Sequence, residues 1–356
     1  MGSESHWSGR SVVKLQLEKT TVDESAQVLV RSKLRAVSRR MGYSEVLRER
    51  MELVCNEMMS NQVKYAIGSG WVQLWETNEP KPALDLFAID RGPGVFNLPA
   101  AMVDGYSTSG SLGKGLGAIR RLAHESEFYT LPKGLEPESP WHGFAIWARF
   151  YVDERVPQST YELGMYLRAY QDSTHNGDGI FVRHTNGRVQ WLHMDGLGHG
   201  LEAAQVVDGN ADLLEEELPL EVLIERLSRR LEGGRGAVGM AVSLDAHEQS
   251  GAICGVGDMA AFLISNGQKR VISFSPGILG HAHRSLDKTA LAFPRQALMI
   301  TASDGMRRNW SLQTFPSLWR LHPQLIALLM GAVASRVNDD QSILAIRVRS
   351  QEGDRP

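Results

Sequence analysis

Ala83-Leu84-Asp85-Leu86-Phe87-Ala88-Ile89-Asp90, followed by Arg91-Gly92-Pro93-Gly94, reads as a strand that ends on a carboxylate and runs into glycines. A carboxylate there can accept from an exocyclic amine, and the glycines let a flat ring approach the backbone. Upstream, Leu47, Met51, Val54 and Met58 recur at helical spacing and predict a helix over Ser44–Ala66. That helix carries Glu57 and Asn61 four residues apart, on one face. An amide oxygen there can ligand Mg²⁺, and a carboxylate beside it can orient or deprotonate a nucleophile. Lys64 and Tyr65 follow. Downstream, Gly113-Lys114-Gly115-Leu116-Gly117 opens a short predicted helix, Ala118–His124. Glycines entering a helix N-terminus present free amides to phosphate, and Lys114 adds a positive charge. Each element is common alone. Their order on helix, strand end and loop–helix junction is specific.

Further strands fit Ser11–Glu18, Trp71–Thr77 and Gly143–Val152, and a first helix fits Asp23–Met41. This is an α+β unit over residues 1–152. Polar, Pro-containing Asp153–Thr160 is the expected linker. Residues 161–350 then change character to short strands separated by turns: GIFVRHT, RVQWLHMD, GAVGMAVSLD, SGAICGVG, AAFLISN, KRVISFS, ALMITASD and QSILAIRVR. Helical patterns stand at about Gly200–Val207, Leu220–Leu231 and Leu325–Val337, so helices packed outside sheets are expected.

Aspartates punctuate this second half. Asp195 and Asp304 each follow an apolar strand, whereas Asp178 and Asp339 each precede one. Any one Asp-Gly is ordinary turn chemistry. Four at strand ends could converge on one rim of a sandwich, where Mg²⁺ or Mn²⁺ would relieve their repulsion. All-oxygen ligation favours such hard ions over Zn²⁺. Asp339 and Asp340 compete for the last position; Asp339 is preferred.

The first half resembles the GHKL (Bergerat-fold) ATPases. Glu57 and Asn61 stand for the N box, Asp90-x-Gly92-x-Gly94 for the first glycine box and Gly113–Gly117 for the second, with Pro99–Leu112 as the ATP lid. GKGLGAIRRLAHE looks most like the small anti-sigma-factor serine kinases. The resemblance implies ATP with one Mg²⁺ on Asn61, the adenine amine at Asp90, phosphates at Gly115 and Gly117, and Glu57 as base. Gly92, Gly94, Gly113, Lys64, Lys114 and Leu116 would complete the pocket. Those kinases carry Gly-Thr where Gly143-Phe144 stands here, after an insertion, Leu135–His142.

Residues Gly164–Arg349 resemble the PPM protein phosphatases, in particular their SpoIIE-type branch, through the spellings GD, DGxGHG, SDG and DDxS. The resemblance implies an αββα sandwich holding two Mg²⁺ or Mn²⁺ ions on Asp178, Asp195, Asp304, Asp339 and the Gly196 carbonyl, with Asp195 and Asp304 central to catalysis. Leu197 stands where larger relatives place a histidine, so His199 is expected to be a turn or supporting residue, and Asp258 a turn residue. The implied substrate is phospho-Ser or phospho-Thr of a STAS-domain anti-anti-sigma protein, which the first half would phosphorylate. A sigma factor or an upstream sensor are further implied partners. Two rival readings make the ATP domain a nucleotide sensor that gates the phosphatase, or a module that sequesters a sigma factor or other partner.

The chain has 356 residues, room for two domains. Its 38 Lys and Arg against 41 Asp and Glu give a net charge of −3, which points to neither nucleic acid nor a membrane surface. Cys55 and Cys254, far apart in apolar stretches, read as buried thiols of a reducing compartment. No signal peptide or membrane span is evident, so a cytoplasmic protein is expected.

Overall fold

A computed structural model describes residues 6–10, 13–21, 23–66, 68, 70–102, 115–171, 173–185, 187–283, 286–336 and 338–349. The chain divides into two compact units. One comprises Val12–Gln158 with Gln313–Leu325; the other comprises Met1–Ser11, Ser159–Leu312 and Ile326–Pro356. Two short segments therefore lie on the far side of the linear division at the linker. The strand β1 (His6–Arg10) pairs antiparallel with a strand of the second unit, and Gln313–Leu325 belongs to the first.

The first unit is built on β2 (Val13–Thr20), α1 (Glu24–Arg40), α2 (Glu45–Tyr65), β3 (Trp71–Thr77), β4 (Ala83–Ile89), α3 (Leu98–Ala101), α4 (Gly115–Leu122), β5 (Glu125–Leu131) and β6 (Gly143–Tyr151). Its strands form one antiparallel sheet in the order β2-β3-β4-β6-β5. Alternation decides the faces. Leu84, Leu86 and Ala88 of β4, with Ile146, Ala148 and Phe150 of β6, pack against Val30, Leu34, Val54, Cys55 and Met58 of α1 and α2. Asp23 and Ser44 cap these two helices, accepting from Ala26 N–H and Leu47 N–H. The other sheet face carries Trp75, Phe87, Trp147 and Arg149, all fully buried. Arg149 meets its cross-strand partner Asp85 at 2.6 Å, and donates to Gln324 Oε1 at 3.0 Å; His322 stacks on Trp147. The segment from the C-terminal half is thus a cover for this sheet. No sequence pattern announced it.

The second unit contains β7 (Tyr161–Arg168), β8 (Asp178–Thr185), β9 (Arg188–Gly196), α5 (Leu201–Val207), α6 (Leu220–Arg230), β10 (Ala237–Asp245), β11 (Ser250–Val256), β12 (Ala260–Ser265), β13 (Gln268–Ile272), β14 (Thr289–Ala292), β15 (Leu298–Ala302), α7 (Pro323–Val333) and β16 (Gln341–Val348), with α7 starting in the first unit. Two antiparallel sheets result, β1-β8-β9-β10-β11-β14 and β13-β12-β15-β16-β7. α6 buries Leu220, Leu223, Ile224 and Leu227 against Leu192, Met194, Ala241 and Cys254 of the first sheet. Ile326 and Met330 of α7 lie against Phe262, Ile300 and Ile343 of the second. The layering is helix, sheet, sheet, helix. Among the described residues no helix is long and apolar enough to cross a membrane.

Candidate functional site

Two places gather the predicted side chains, one in each unit. In the first unit, α2 presents Glu57 and Asn61 toward the start of α4. A Cβ placed on Gly115 would lie 2.9 Å from Glu57 Oε2 and within 3.6 Å of the Asn61 amide, which puts the start of α4 against both side chains. Asn61 Nδ2 is buried with no hydrogen-bond partner among the described residues. A buried amide left like this favours an incoming polar ligand. Gly117 is buried, and Leu116 packs against the core beneath. Gly113, Lys114 and most of the proposed lid, Pro99–Leu112, lie outside the described residues. The helix starts at Gly115 rather than Ala118, because α4 takes the last glycines of the loop as its first turn.

Asp90 sits just past β4, 7% exposed. Burial raises its pKa, while the N–H groups of Gly92 and Phe144 donate to Oδ1 at 2.8 and 3.2 Å and oppose the rise. The Trp141 indole donates to the Asp90 carbonyl at 2.9 Å, which fixes the strand end. Gly92 would put a Cβ 2.9 Å from the Tyr65 carbonyl, and Gly94, at φ 75°, 2.7 Å from Pro132 Cα. Gly143, at φ 146°, would place one 2.1 Å from the Asp90 carbonyl. Lys64 is exposed at the end of α2. Phe144 turns its ring into the core, stacked on Phe128. Thr130, its cross-strand partner, supplies the hydroxyl at this strand start and accepts from Val95 N–H at 2.7 Å. The buried amide and the glycine cradle fit a magnesium–nucleotide complex.

In the second unit, Asp178 opens β8 and Asp195 is the last residue but one of β9, directly opposite it in register. Cross-strand neighbours hold Cβ atoms about 4.5–5.5 Å apart, and like charges there repel. Asp178 is fully buried, with both carboxylate oxygens shielded from solvent. Burial raises its pKa first, helped by Asp340 and Asp339, while the Ser303 and Ser342 hydroxyls act against the rise. Asp195 is raised by burial, then by the fields of Asp178, Asp304, Asp339 and Asp340. Asp304 is raised by burial, Asp258 and Asp339, and lowered by Arg336 and Arg308. The fields of Asp178, Asp304 and Asp339 on Asp195 put the four predicted aspartates near one another.

The loops at the rim are tied by backbone groups. Asp340 accepts from Tyr170 N–H at 2.6 Å and Gly177 N–H at 2.7 Å, and Gly196 N–H donates to the Gly177 carbonyl at 2.9 Å. Asp340 is thus engaged in holding loops, whereas the Asp339 side chain accepts from Asp340 N–H at 2.9 Å. A Cβ on Gly305 would come within 2.0 Å of the Asp340 carbonyl. His199 packs its ring 4.8 Å from that of Tyr170, and Asp258 stands 3.9 Å from Arg308. Among the described residues, no group of three or more His, Cys, Asp or Glu side chains could hold an ion as it stands. The donor set nonetheless fits a hard divalent cation: it is all oxygen, desolvated, and repelled within itself. Sequence reasoning missed His193, Ser303 and Ser342. The signal was a polar residue inside the apolar strand Trp191–Met194, a serine one residue before Asp304 and a serine three residues after Asp339.

No family model matches the chain. Over 92 residues, 26% of this chain and 68% of the relative, it is 35% identical to the serine/threonine-protein kinase RsbT of Bacillus subtilis. Among solved structures, it is similar to a chain of the bacterial stressosome, a modular system adapted to control secondary messenger signalling (TM-score 0.49, 25% identity, 52% of this chain and 99% of that one). RsbX in complex with magnesium matches with a TM-score of 0.48, 17% identity, 55% of this chain and 98% of its own. The PP2C phosphatase domain with a regulatory fragment of SpoIIE from Bacillus subtilis matches at 0.47, 14% identity, 92% and 96%.

Proposed function

The chain belongs, over 92 of its residues, to the family of the serine/threonine-protein kinase RsbT, and we propose on that premise that it is a regulatory protein with opposed kinase and phosphatase activities. The second unit removes phosphate from serine or threonine of a partner protein, for which a STAS-domain anti-anti-sigma protein is the expected substrate. The observation that carries this is the facing pair Asp178 and Asp195, buried at a rim that Asp304 and Asp339 also influence. Carboxylates placed so closely are held together by cations or by protons. Two Mg²⁺ or Mn²⁺ ions would supply charge neutralisation and a water activated for in-line attack on phosphorus. Asp178, Asp195, Asp304, Asp339 and the Gly196 carbonyl are the proposed ligands, and no covalent intermediate is involved.

The first unit binds Mg-ATP. Asp90 accepts from the adenine amine, the glycines at 92, 94, 115 and 117 let the nucleotide approach, and Asn61 holds the metal. Glu57, four residues before Asn61, takes the proton of the incoming serine hydroxyl as phosphate is transferred. The GHKL and PPM folds, and a place in the cytoplasm, belong to the same reading. A sensor reading draws support from Phe144, whose ring is spent on the core where a threonine hydroxyl stands in the kinases it resembles.

One experiment separates the two. The Asp304→Asn chain, with its phosphatase silenced, should transfer labelled γ-phosphate from ATP to its STAS partner, and the Asp304→Asn, Glu57→Gln double variant should not, while ATP affinity is the same in both. General-base assistance is worth about 10²–10⁴ in rate. If neither labels the partner yet ATP changes the phosphatase rate of the wild-type chain, the first unit is a sensor.

A further inference from the structure

Beside the acid rim lies a cavity of about 400 Å³. Strand register places it there. Val238 lines the cavity and is the cross-strand partner of Asp195, while Ala260 lines it and pairs with Ala302, two residues before Asp304. Val238 belongs to one sheet of the second unit and Ala260 to the other, so the cavity lies between the sheets at the end that carries both aspartates. Its apolar wall includes Val271, Phe274 and Pro276. Gly257 N–H donates to the Ser275 carbonyl at 3.0 Å, which ties that wall in place before any ligand arrives.

The mouth is polar. Arg308, four residues after Asp304, lines the cavity together with Asp258. Their side chains are 39% and 69% exposed and stand 3.9 Å apart, a loose pair of the kind that contributes little at a surface. Arg308 Nε is shielded from solvent and has no hydrogen-bond partner among the described residues. An N–H so placed favours an incoming acceptor. Lys269 of β13 donates to the Arg308 carbonyl at 3.5 Å and lies 3.9 Å from the centre of the Trp310 ring, which fastens the Arg308 segment to a wall strand. Val271, on the outer strand of its sheet, is 55% exposed. An occupant can therefore enter the cavity and continue over the surface, as an extended chain does and a small enclosed ligand does not.

We infer that this cavity is the subsite for the residue flanking the phosphoserine of a protein substrate. It takes a large apolar side chain, and Arg308 donates from Nε to a main-chain carbonyl of the same segment. The subsite rests on the metal-centre reading proposed above, because the rim is what would hold the phosphate. The size fits: small-ligand sites run from about 300 to 1,000 Å³, and the lower end of that range holds one side chain with its main chain. The labour is divided. The rim acts on a phosphate that every phosphoprotein shares, and the apolar cavity next to it chooses among phosphoproteins.

The test gives the purified chain Mn²⁺ and three phosphate esters: p-nitrophenyl phosphate, a phosphoserine peptide with leucine on both sides, and the same peptide with glycine on both sides. The wild type should prefer the leucine peptide by about 10-fold or more in kcat/KM, chiefly through KM. Ser273→Trp, at an exposed lining position, should fill the cavity and bring that preference close to one. The ratio of the two peptides cancels any effect of the substitution on the chemistry itself. Arg308→Gln should lower kcat/KM for both peptides by about 10-fold relative to p-nitrophenyl phosphate, which has no main chain to hold. Equal turnover of the two peptides by the wild type, or a leucine preference that survives Ser273→Trp, would overturn the subsite and leave the metal centre standing. An equal loss on p-nitrophenyl phosphate in Arg308→Gln would overturn the role given to Arg308. A wild type that hydrolyses none of the three would overturn the metal centre. Fluorescence anisotropy of the labelled leucine peptide then reads the cavity alone: binding lost in Ser273→Trp would support it, and no binding by the wild type would overturn it.

Discussion

The proposed nucleotide site and the acid rim solve opposite problems. Around Asp90, two backbone N–H groups and a cluster of glycines accommodate one carboxylate, which is held in place before any ligand arrives. Around Asp195, several carboxylates share one end of a sandwich and raise one another's pKa values. The first site is defined by space left empty, the second by charge left uncompensated. The glycine pocket leaves one buried amide, Asn61 Nδ2, without a partner among the described residues. The acid rim leaves like charges together, so its stability and its ligand should be coupled.

That contrast can be broken most sharply at Asp195. Asp195→Asn should lower Mn²⁺-dependent phosphatase activity by more than about 100-fold, since even indirect partners of metal ligands contribute 10–100-fold. The same substitution should raise the unfolding midpoint of the metal-free chain, because it removes a like charge facing Asp178. ATP affinity should not move. A stability loss without metal would mean the rim is not repulsive.

A smaller effect is expected at the nucleotide site. Asp90→Asn can turn a donor toward the adenine amine, and an unpaired polar contact costs about 1–3 kcal/mol, roughly 5- to 150-fold in ATP affinity. Calorimetry checks this, with Mn²⁺-dependent hydrolysis as the control that should stay level.

The smallest effect is in pH dependence. Asp195 has its pKa raised in the folded chain, so the folded form binds more protons than the unfolded one. Its stability contribution is whole below the ordinary carboxylate range and is lost as pH rises through the raised value. His193, lowered to about 3, works in the other sense but only below about pH 6.5, where an unfolded histidine titrates. Between about pH 7 and 9 the metal-free chain should therefore lose stability as pH rises, and Asp195→Asn should lose less. Thermal melts in a chelator read both slopes; parallel slopes would contradict the account.

Much of both sites was legible because their chemistry lives in short local spellings. The strand Ala83–Ile89 and the glycines behind it are contiguous, and Glu57 and Asn61 share one helix face, so spacing alone brings the pieces together. Asp178 and Asp195 each carried a turn signature, but their direct pairing needed the register of β8 and β9, which no local pattern states. The same holds for β1, whose partner is a strand more than 170 residues away, and for β5 and β7, which were not read as strands. The cover at Gln313–Leu325 was invisible for a further reason: its contacts, Gln324 to Arg149 and His322 to Trp147, join residues far apart in sequence. The helix over Pro323–Val333 begins two residues earlier than periodicity placed it, with proline in its first turn, and stops four residues sooner. Lys64 shows the converse, a motif neighbour that the helix carries to solvent.

The central claim is that the acid rim is a metal centre for protein dephosphorylation. Its most direct measurement is phosphate release from a phosphoserine STAS protein by the purified chain, with Mn²⁺ and then with excess chelator. The account predicts release that requires Mn²⁺, stops in chelator, and is absent in Asp195→Asn and Asp304→Asn. Release that persists in chelator, or that survives either substitution, would contradict it.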